Sequence, residues 1–131
     1  MTRCLVIDDS RVLRRLHCQL LTRLGIDSTE ADNGQSALAV CRDTMPDVIL
    51  VDWNMPQMDG LEFLQALRQM PGGQTPKAIV CSIENDLNHI TRAIKAGADD
   101  YLMKPFDLDM LTAKLSAAGI CALPPSSVDQ P

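Results

Sequence analysis

The chain has 131 residues, of which 46% are hydrophobic and 3% are aromatic, and its formal net charge is −5. That length predicts one domain with its own core, while the acidic balance and the few aromatic rings argue against nucleic-acid binding. No apolar run approaches the roughly 18 to 20 residues of a membrane span, and the five scattered cysteines form no Cys-x-x-Cys pair, so we expect a cytoplasmic protein without membrane insertion.

The N-terminal part alternates short apolar runs with helical patterns. Residues 4–7 are apolar and predict a buried strand that ends at Asp8 and Asp9, and Ser10 is a suitable helix cap. The next apolar residues recur at helical spacing as far as Gly25: Val12, Leu13, Leu16, Leu20, Leu21 and Leu24. Residues 26–31 are polar in the middle and predict an edge strand, which a turn at 32–34 and a short helix through residues 37–41 follow.

The central stretch, residues 48–60, begins with four apolar residues that predict a strand buried on both faces of a parallel sheet. The strand stops at Asp52, and the Asn-Met-Pro and Asp-Gly that follow are typical of a loop. Apolar residues through Met70 then predict a third helix, which the Pro-Gly-Gly at 71–73 ends.

The C-terminal part repeats the alternation twice. Residues 77–82 predict a strand that finishes at the hydroxyl of Ser82, and either Asp86 or Asn88 can cap the next helix. That helix is expected to present Leu87, Ile90, Ala93 and Ile94 on one face and to end at Gly97. Residues 100–104 predict a fifth strand that Pro105 stops, and Asp107 begins a last helix with Leu108, Leu111 and Leu115 facing inward.

Five strand–helix units in strict alternation predict an α/β fold: a doubly wound, five-stranded parallel sheet with five helices on its two faces and right-handed crossovers. We expect residues 1–121 to form this domain and residues 122–131, rich in proline and serine, to be a disordered tail.

Four of the five predicted strands end on a charged or hydroxyl side chain, in the order Asp8 and Asp9, Asp52, Ser82, Lys104. Since parallel strands share one carboxyl edge, these groups are expected to converge there. Each has a simpler interpretation when taken alone, such as a helix cap for the two acids or a turn for Lys104 and Pro105. Together they indicate a functional site.

Three neighbouring carboxylates repel one another unless a cation holds them, and oxygen ligands favour Mg²⁺. A carboxylate can act as a nucleophile toward phosphorus, and a lysine can pair with phosphoryl oxygens. The sequence therefore predicts that Asp52 is a phosphoryl acceptor.

The sequence resembles the receiver domain of bacterial two-component response regulators, in particular the single-domain chemotaxis (CheY-like) type with its flavodoxin-like fold. The matching stretches are residues 6–10, 52–56, 58–60, 96–101 and 104–106. The resemblance implies that Asp8, Asp9, Asp52 and the backbone carbonyl of Asn54 bind Mg²⁺. It also implies that Ser82 and Lys104 contact the phosphoryl group, that Tyr101 swings inward on activation, and that the bond before Pro105 is cis.

Three further positions are expected to modulate the lifetime of the phosphorylated state. Asn54 and Glu84 match the chemotaxis-type pattern, which in the family accompanies rapid loss of phosphate. Ile83 departs from it, because receivers usually have alanine or glycine there. Our hypothesis is that Ile83 restricts the attacking water or small phosphodonors; the alternative is that it points outward against the fourth helix.

The resemblance implies a phosphoprotein that a histidine kinase or histidine phosphotransfer protein phosphorylates, as in chemotaxis or motility signalling. Its output would be protein binding through the face of the fourth helix, fifth strand and fifth helix, and we expect a monomer. A shuttle or sink in a phosphorelay is the alternative. A Mg²⁺-dependent phosphatase with an aspartate nucleophile is a weaker one, because Asn54 stands where such enzymes commonly need a second acid. We therefore expect no enzyme beyond self-phosphorylation and self-dephosphorylation.

Overall fold

The computed structural model describes residues 2–120, in which five strands and five helices alternate. The strands are β1 (Arg3–Ile7), β2 (Asp27–Ala31), β3 (Val48–Asp52), β4 (Lys77–Ser82) and β5 (Asp100–Met103). The helices are α1 (Arg11–Arg23), α2 (Gly34–Asp43), α3 (Gly60–Arg68), α4 (Leu87–Ala96) and α5 (Leu108–Ala117). The expected disordered tail at 122–131 lies outside the described residues.

All strand pairs are parallel, and the strand order is β2-β1-β3-β4-β5. The central strand β3 is buried along its whole length, as its run of apolar residues predicts. Alternate residues of β1, β3, β4 and β5 feed two cores, whereas the edge strand β2 contributes only Ala31. Helices α2, α3 and α4 cover one core, and α1 and α5 cover the other. The predicted doubly wound parallel fold is confirmed.

Each helix begins at a polar cap, which limits where its first turn can lie. The capping side chains of Ser10, Asn33, Asp59, Asp86 and Asp107 all accept a hydrogen bond from the backbone three residues on. The cap of α4 is therefore Asp86 rather than Asn88. Among the described residues, no helix has both the length and the apolar character needed to cross a membrane.

Two predicted helix faces are partly wrong. Val12 and Leu87 are 77% and 78% exposed, and Leu16 and Ile94 are exposed as well. Val12 and Leu87 lie in the first turns of α1 and α4, at the rim of the sheet where the core ends. Instead, α4 packs against the core through Ala93 and Ala96, because small side chains let the helix approach the sheet closely.

Candidate functional site

The register of the sheet brings the predicted site residues to one edge. Ile7 pairs with Val51 and Asp52 pairs with Cys81, so the ends of β1, β3 and β4 are nearly level. Beyond β5, the backbone N–H of Lys104 donates to the carbonyl of Ser82 at 2.8 Å, which places Lys104 next to the end of β4. The convergence predicted from the strand order is therefore present in the structure.

The acids form a compact cluster at this edge. Asp8 and Asp52 are only 3% and 6% exposed, whereas Asp9 faces solvent. One carboxylate oxygen from each of the three lies within 4.8 Å of the others. Asp8 is further fixed because its Oδ1 accepts a hydrogen bond from the backbone of Ser10 at 2.9 Å. All three predicted acids thus contribute to one site.

Lys104 is the counter-charge of this cluster. Its Nζ lies 3.1 Å from Asp8 Oδ2 and 2.9 Å from Asp52 Oδ1. Burial alone would lower the pKa of Lys104, but its hydrogen bond to Asp52 and the charges of Asp52 and Asp8 outweigh burial and raise it. Burial also raises the pKa of Asp52, together with the charges of Asp8 and Asp9, and Lys104 only partly offsets that rise. Lys104 is therefore protonated and positively charged. The ionised form of Asp52 is less favourable here than it is in water.

The start of α3 packs directly beneath Asp52. A Cβ atom at Gly60 would lie 2.5 Å from the carbonyl oxygen of Asp52, so only glycine fits there without a backbone shift. The N–H of Gly60 donates to the carbonyl of Trp53 at 2.9 Å, and Asp59 and Glu62 form a capping box at the same helix end. Asn54, in the loop between, is exposed. This loop fixes the backbone on which the acceptor is carried.

Ser82 and Tyr101 are joined through the backbone of Glu84. The Oγ of Ser82, which is buried, accepts a hydrogen bond from the Glu84 N–H at 3.1 Å. The hydroxyl of Tyr101 donates to the Glu84 carbonyl, and its ring is buried. Burial raises the pKa of Tyr101, so the phenol keeps its proton. The tyrosine expected to swing inward thus lies inward in this structure.

Trp53, the residue after the acceptor, links it to α4. Its indole is buried, and the His89 ring packs against it with centroids 4.9 Å apart and planes tilted by 57°. The guanidinium of Arg92 lies 5.2 Å from the indole, and Tyr101 meets its edge. His89 also pairs with Asp86 at 2.7 Å, and this hydrogen bond lowers the pKa of Asp86. The first two turns of α4 therefore pack on the neighbour of Asp52.

A groove opens beside Lys104, between α1 and the loop after β5. Ile83 is 66% exposed and lines this groove, so it faces α1 rather than the fourth helix. The Lys104–Pro105 peptide bond in the groove wall is cis. The lining residues are Leu13, Leu16, His17, Ile83, Lys104, Pro105 and Phe106.

Sequence reasoning missed three residues that contact the site or its supports. Arg14 donates from Nη1 to the carbonyl of Asp8 at 2.8 Å and pairs with Glu30 at 3.0 Å, which ties the first acid to α1 and β2. His17, in the middle of α1, is buried against Phe106. Arg92 covers Trp53. His17 and Arg92 contact rings far along the chain, and Arg14 joins Asp8 to Glu30; no local pattern indicates these contacts.

The donor set of the site suits a hard divalent cation. Three carboxylates within reach of one another supply oxygen ligands, and Lys104 occupies only one oxygen each of Asp8 and Asp52. The buried carboxylate of Asp52 also offers an oxygen that can act as a nucleophile. Lys104 supplies a positive charge next to it, and Ser82 supplies a hydroxyl. Such an arrangement can stabilise the spread negative charge of a phosphoryl group in transfer.

Residues 4–116 match the family described as "Response regulator receiver domain". The chain is 36% identical to the Chemotaxis protein CheY homolog of Campylobacter jejuni, over 85% of this chain and 87% of that protein. It is 40% identical to the Transcriptional regulatory protein KdpE of Mycobacterium tuberculosis over 90% of this chain, which spans about half (51%) of KdpE. The structure of Vibrio cholerae CheY4 superposes with a TM-score of 0.85 at 30% identity, covering 89% of this chain and 98% of CheY4.

Proposed function

Because the chain belongs to the response regulator receiver domain family of two-component signalling, we propose that it is a switch that accepts a phosphoryl group on Asp52. The observation that carries the proposal is the buried carboxylate of Asp52, 2.9 Å from Lys104 and within 4.8 Å of ligand oxygens of Asp8 and Asp9. Asp8 shares Lys104 and the acidic neighbours, but its other oxygen already accepts a hydrogen bond from the N–H of Ser10, which favours Asp52 as the acceptor.

In the proposed reaction, an oxygen of Asp52 attacks phosphorus in line with the leaving group of the donor. The new bond joins this oxygen to phosphorus, the bond from phosphorus to the donor breaks, and the donor atom keeps the electron pair. The ammonium of Lys104 lies where it can pair with the phosphoryl oxygens, and the Ser82 hydroxyl can donate to one of them.

We assign Asp8, Asp9, Asp52 and the backbone carbonyl of Asn54 as the residues that would hold Mg²⁺. When bound, Mg²⁺ supplies positive charge to the carboxylates and to the phosphoryl oxygens. Two hydrogen bonds hold Asp8 in place: Arg14 donates to its backbone carbonyl, and the N–H of Ser10 donates to its carboxylate.

Three residues around the acceptor would set the lifetime of the acyl phosphate. Asn54 lies two residues after Asp52, and Glu84 lies two residues after Ser82. Both are exposed, so their side chains can meet the attacking water. Ile83 lines the groove together with Lys104 and would limit access to phosphorus.

The output of the proposed switch passes from Ser82 through Glu84 and Tyr101 to the face formed by α4, β5 and α5. This face carries exposed methionines, Met103 and Met110, which suit contact with a downstream protein.

The donor would be a histidine kinase or a histidine phosphotransfer protein. Free thiols at all four described cysteines support a reducing, cytoplasmic setting.

The proposal is tested by the fluorescence of Trp53, the single tryptophan, which is buried beside Asp52. We expect Mg²⁺ to change its emission and beryllofluoride, which mimics a phosphoryl group on aspartate, to give a second, saturable change that needs Mg²⁺. The beryllofluoride response should be lost in Asp52→Asn and retained in Asp43→Asn, an exposed aspartate at the end of α2. Absence of both responses in the wild type would overturn the proposal.

A further inference from the structure

A second group of metal-ligand side chains lies at the start of α4, apart from the acceptor site. Glu84, Asp86 and His89 each place one ligand atom within 4.8 Å of the other two. Among residues 2–120, only this group and the three acids of the acceptor site bring three such side chains so close together. The two groups share no residue, and only this one contains an imidazole, so they suit different ions.

No basic side chain balances the charge of this group. Asp86 pairs only with His89, and neither Asp86 nor Glu84 pairs with a lysine or an arginine in the part of the chain that the structure describes. The acceptor site differs, because Lys104 pairs there with two acids. With the imidazole neutral, as metal binding requires, the two carboxylates carry the charge that one divalent cation neutralises.

The imidazole is held in position by Trp53 and by Asp86. The His89 side chain is only 28% exposed, and its ring packs against the buried indole with centroids 4.9 Å apart. Its Nδ1 lies 2.7 Å from Asp86 Oδ2, and the backbone N–H of His89 donates to Asp86 Oδ1 at 2.9 Å. One oxygen of Asp86 is therefore fixed by the helix backbone, while the other lies beside the imidazole nitrogen. Contacts of this kind orient metal ligands.

Glu84 reaches the group from the loop between β4 and α4. Its backbone is held on both sides, because its N–H donates to Ser82 Oγ at 3.1 Å and its carbonyl accepts from the hydroxyl of Tyr101. Its side chain is exposed, and its carboxylate makes no hydrogen bond to any other described residue. This carboxylate is thus available as a third ligand, carried on a fixed backbone.

The separations within the group suit a small ion. Ligands about 2.0–2.1 Å from a tetrahedral ion lie roughly 3.3 Å from one another. The separations here run from 2.7 Å, between Asp86 Oδ2 and His89 Nδ1, to an upper limit of 4.8 Å. Small rotations of the two exposed acids bring all three atoms to the required distance. One nitrogen and two oxygens are ligands of borderline ions such as Zn²⁺, whereas Mg²⁺ is held by oxygen.

We propose that Glu84, Asp86 and His89 form a second cation site, selective for Zn²⁺ and similar borderline ions over Mg²⁺. The ligands are Nδ1 of His89, whose ring proton then lies on Nε2, and one oxygen of each carboxylate; water completes the coordination. The inference goes beyond the proposed function, since it requires no phosphoryl group. A bound ion joins the loop after β4 to the first turn of α4. Because the backbone of Glu84 carries the hydrogen bonds of Ser82 and Tyr101, the ion also favours the inward position of Tyr101.

The test is a Zn²⁺ titration of the full chain in the presence of excess Mg²⁺, followed by nuclear magnetic resonance of the histidine ring nitrogens. The chain has two histidines, His17 and His89, so one variant assigns both rings. We expect Zn²⁺ to shift Nδ1 of His89 saturably, at one ion per chain, and to leave the ring of His17 unchanged. Mg²⁺ alone should not shift His89. Isothermal titration calorimetry measures the Kd.

Two variants each remove one ligand and keep the shape of the side chain. His89→Phe retains an aromatic ring against Trp53, and Glu84→Gln retains the length of an exposed side chain. We expect each to weaken Zn²⁺ binding more than tenfold, because loss of even a partner that only orients a ligand costs about 10- to 100-fold in metal affinity. Asn88→Ala, exposed in the same helical turn but outside the group, should keep the Kd within about twofold.

Absence of a saturable shift of the His89 ring in the wild type would overturn the inference. An unchanged Kd in His89→Phe or in Glu84→Gln would overturn it as well, because the ion would then lie elsewhere. Asp52→Asn should bind Zn²⁺ at this site as the wild type does. Failure of the Zn²⁺ site therefore leaves the beryllofluoride response and the proposed function standing, and failure of that response leaves the Zn²⁺ site standing.

Discussion

At the scale of single residues, the charge of Asp52 opposes folding. Burial raises its pKa above the ordinary value of 3.8 even with Lys104 beside it. The folded protein therefore binds a proton at Asp52 more readily than the unfolded chain does. The stability that this proton contributes is fully present below pH 3.8 and is lost as the pH rises through the higher folded-state pKa. At neutral pH the ionised acceptor makes the fold less stable than a neutral side chain would.

We therefore predict that Asp52→Asn is more stable than the wild type at neutral pH without Mg²⁺, with a melting temperature a few degrees higher. The difference should shrink on acidification to about pH 3.5, where the unfolded carboxyl is protonated too. Thermal melts followed by circular dichroism, in the presence of a chelator, measure this. Asp43→Asn, an exposed substitution, provides the baseline. A less stable Asp52→Asn at neutral pH would contradict the prediction.

Ile83 allows a second prediction about one side chain. Its exposed side chain lines the groove beside Lys104, where we expect it to reduce access to phosphorus. Ile83→Ala should speed both labelling by acetyl phosphate and autodephosphorylation about fivefold, which corresponds to about 1 kcal/mol in the barrier. Ile94→Ala, an exposed isoleucine on α4, is the matched control. Unchanged rates in Ile83→Ala would remove the hypothesis that this residue controls access.

At the scale of secondary-structure elements, the contact between α3 and β3 depends on a missing side chain. Gly60→Ala would place a methyl group 2.5 Å from the carbonyl oxygen of Asp52, a rigid backbone atom. We predict a loss of about 1–3 kcal/mol in unfolding free energy and weaker Mg²⁺ binding, because the acceptor strand must shift. Urea denaturation and Mg²⁺ titration of Trp53 fluorescence measure the two effects.

Gly34→Ala is the matched control for that prediction, since Gly34 also begins a helix. Its added methyl would meet the side chain of Met58, which is flexible and can move away. We expect it to be clearly milder than Gly60→Ala. Equal losses in the two variants would show that the backbone of Asp52 is not the sensitive contact.

Arg68, the last residue of α3, joins this helix to the loops that precede β4 and β5, at the opposite end of the sheet. Its guanidinium donates to the carbonyls of Gly97, Gly73 and Pro76, and it pairs with Asp99 at 3.2 Å. Arg68→Ala leaves these carbonyls without their donor, and we predict a loss of about 2–4 kcal/mol in unfolding free energy. Arg68→Lys should retain part of it. A loss within about 0.5 kcal/mol in Arg68→Ala would contradict this account.

The elements themselves could be predicted because their signals are local. The apolar run of β3 and the caps at Ser10, Asp59 and Asp107 are all visible in the sequence. The inward faces of α1 and α4 could not be predicted fully. Whether a side chain in a given helix turn is buried depends on where the sheet beneath it ends. Leu87 fits the apolar pattern of α4 and is nevertheless exposed, since it lies past that edge.

The site could be predicted to the level of which side chains meet, since parallel strands order their ends. Its supports could not be predicted. Arg14 and Arg68 act on backbone carbonyls, and any carbonyl in the chain could have been the partner. His17 has an ordinary helical setting in sequence, and only the packing of Phe106 against it shows that its ring is buried.

At the scale of the whole molecule, we predict a monomer in solution. The exposed apolar side chains of α4, β5 and α5 are interrupted by charged residues, among them the Lys114–Asp100 pair at 2.9 Å, and the net charge of −5 opposes self-association. Light scattering after size-exclusion chromatography, with and without beryllofluoride, should give the mass of one copy in both states. A mass of two copies with beryllofluoride would contradict the prediction and identify a dimer as the active form.

The parallel arrangement of strand ends has a consequence for biosynthesis. Lys104 contacts Asp52 and Asp8 across 52 and 96 residues of sequence. No contiguous fragment that lacks β1 or β5 can hold all of these groups, so the site is complete only when the two ends of the domain have come together. Under the proposed function, a nascent chain that still lacks β5 would also lack Lys104 and would not be phosphorylated. Labelling of Asp52 would therefore serve as a proofreading step that admits only intact copies to signalling.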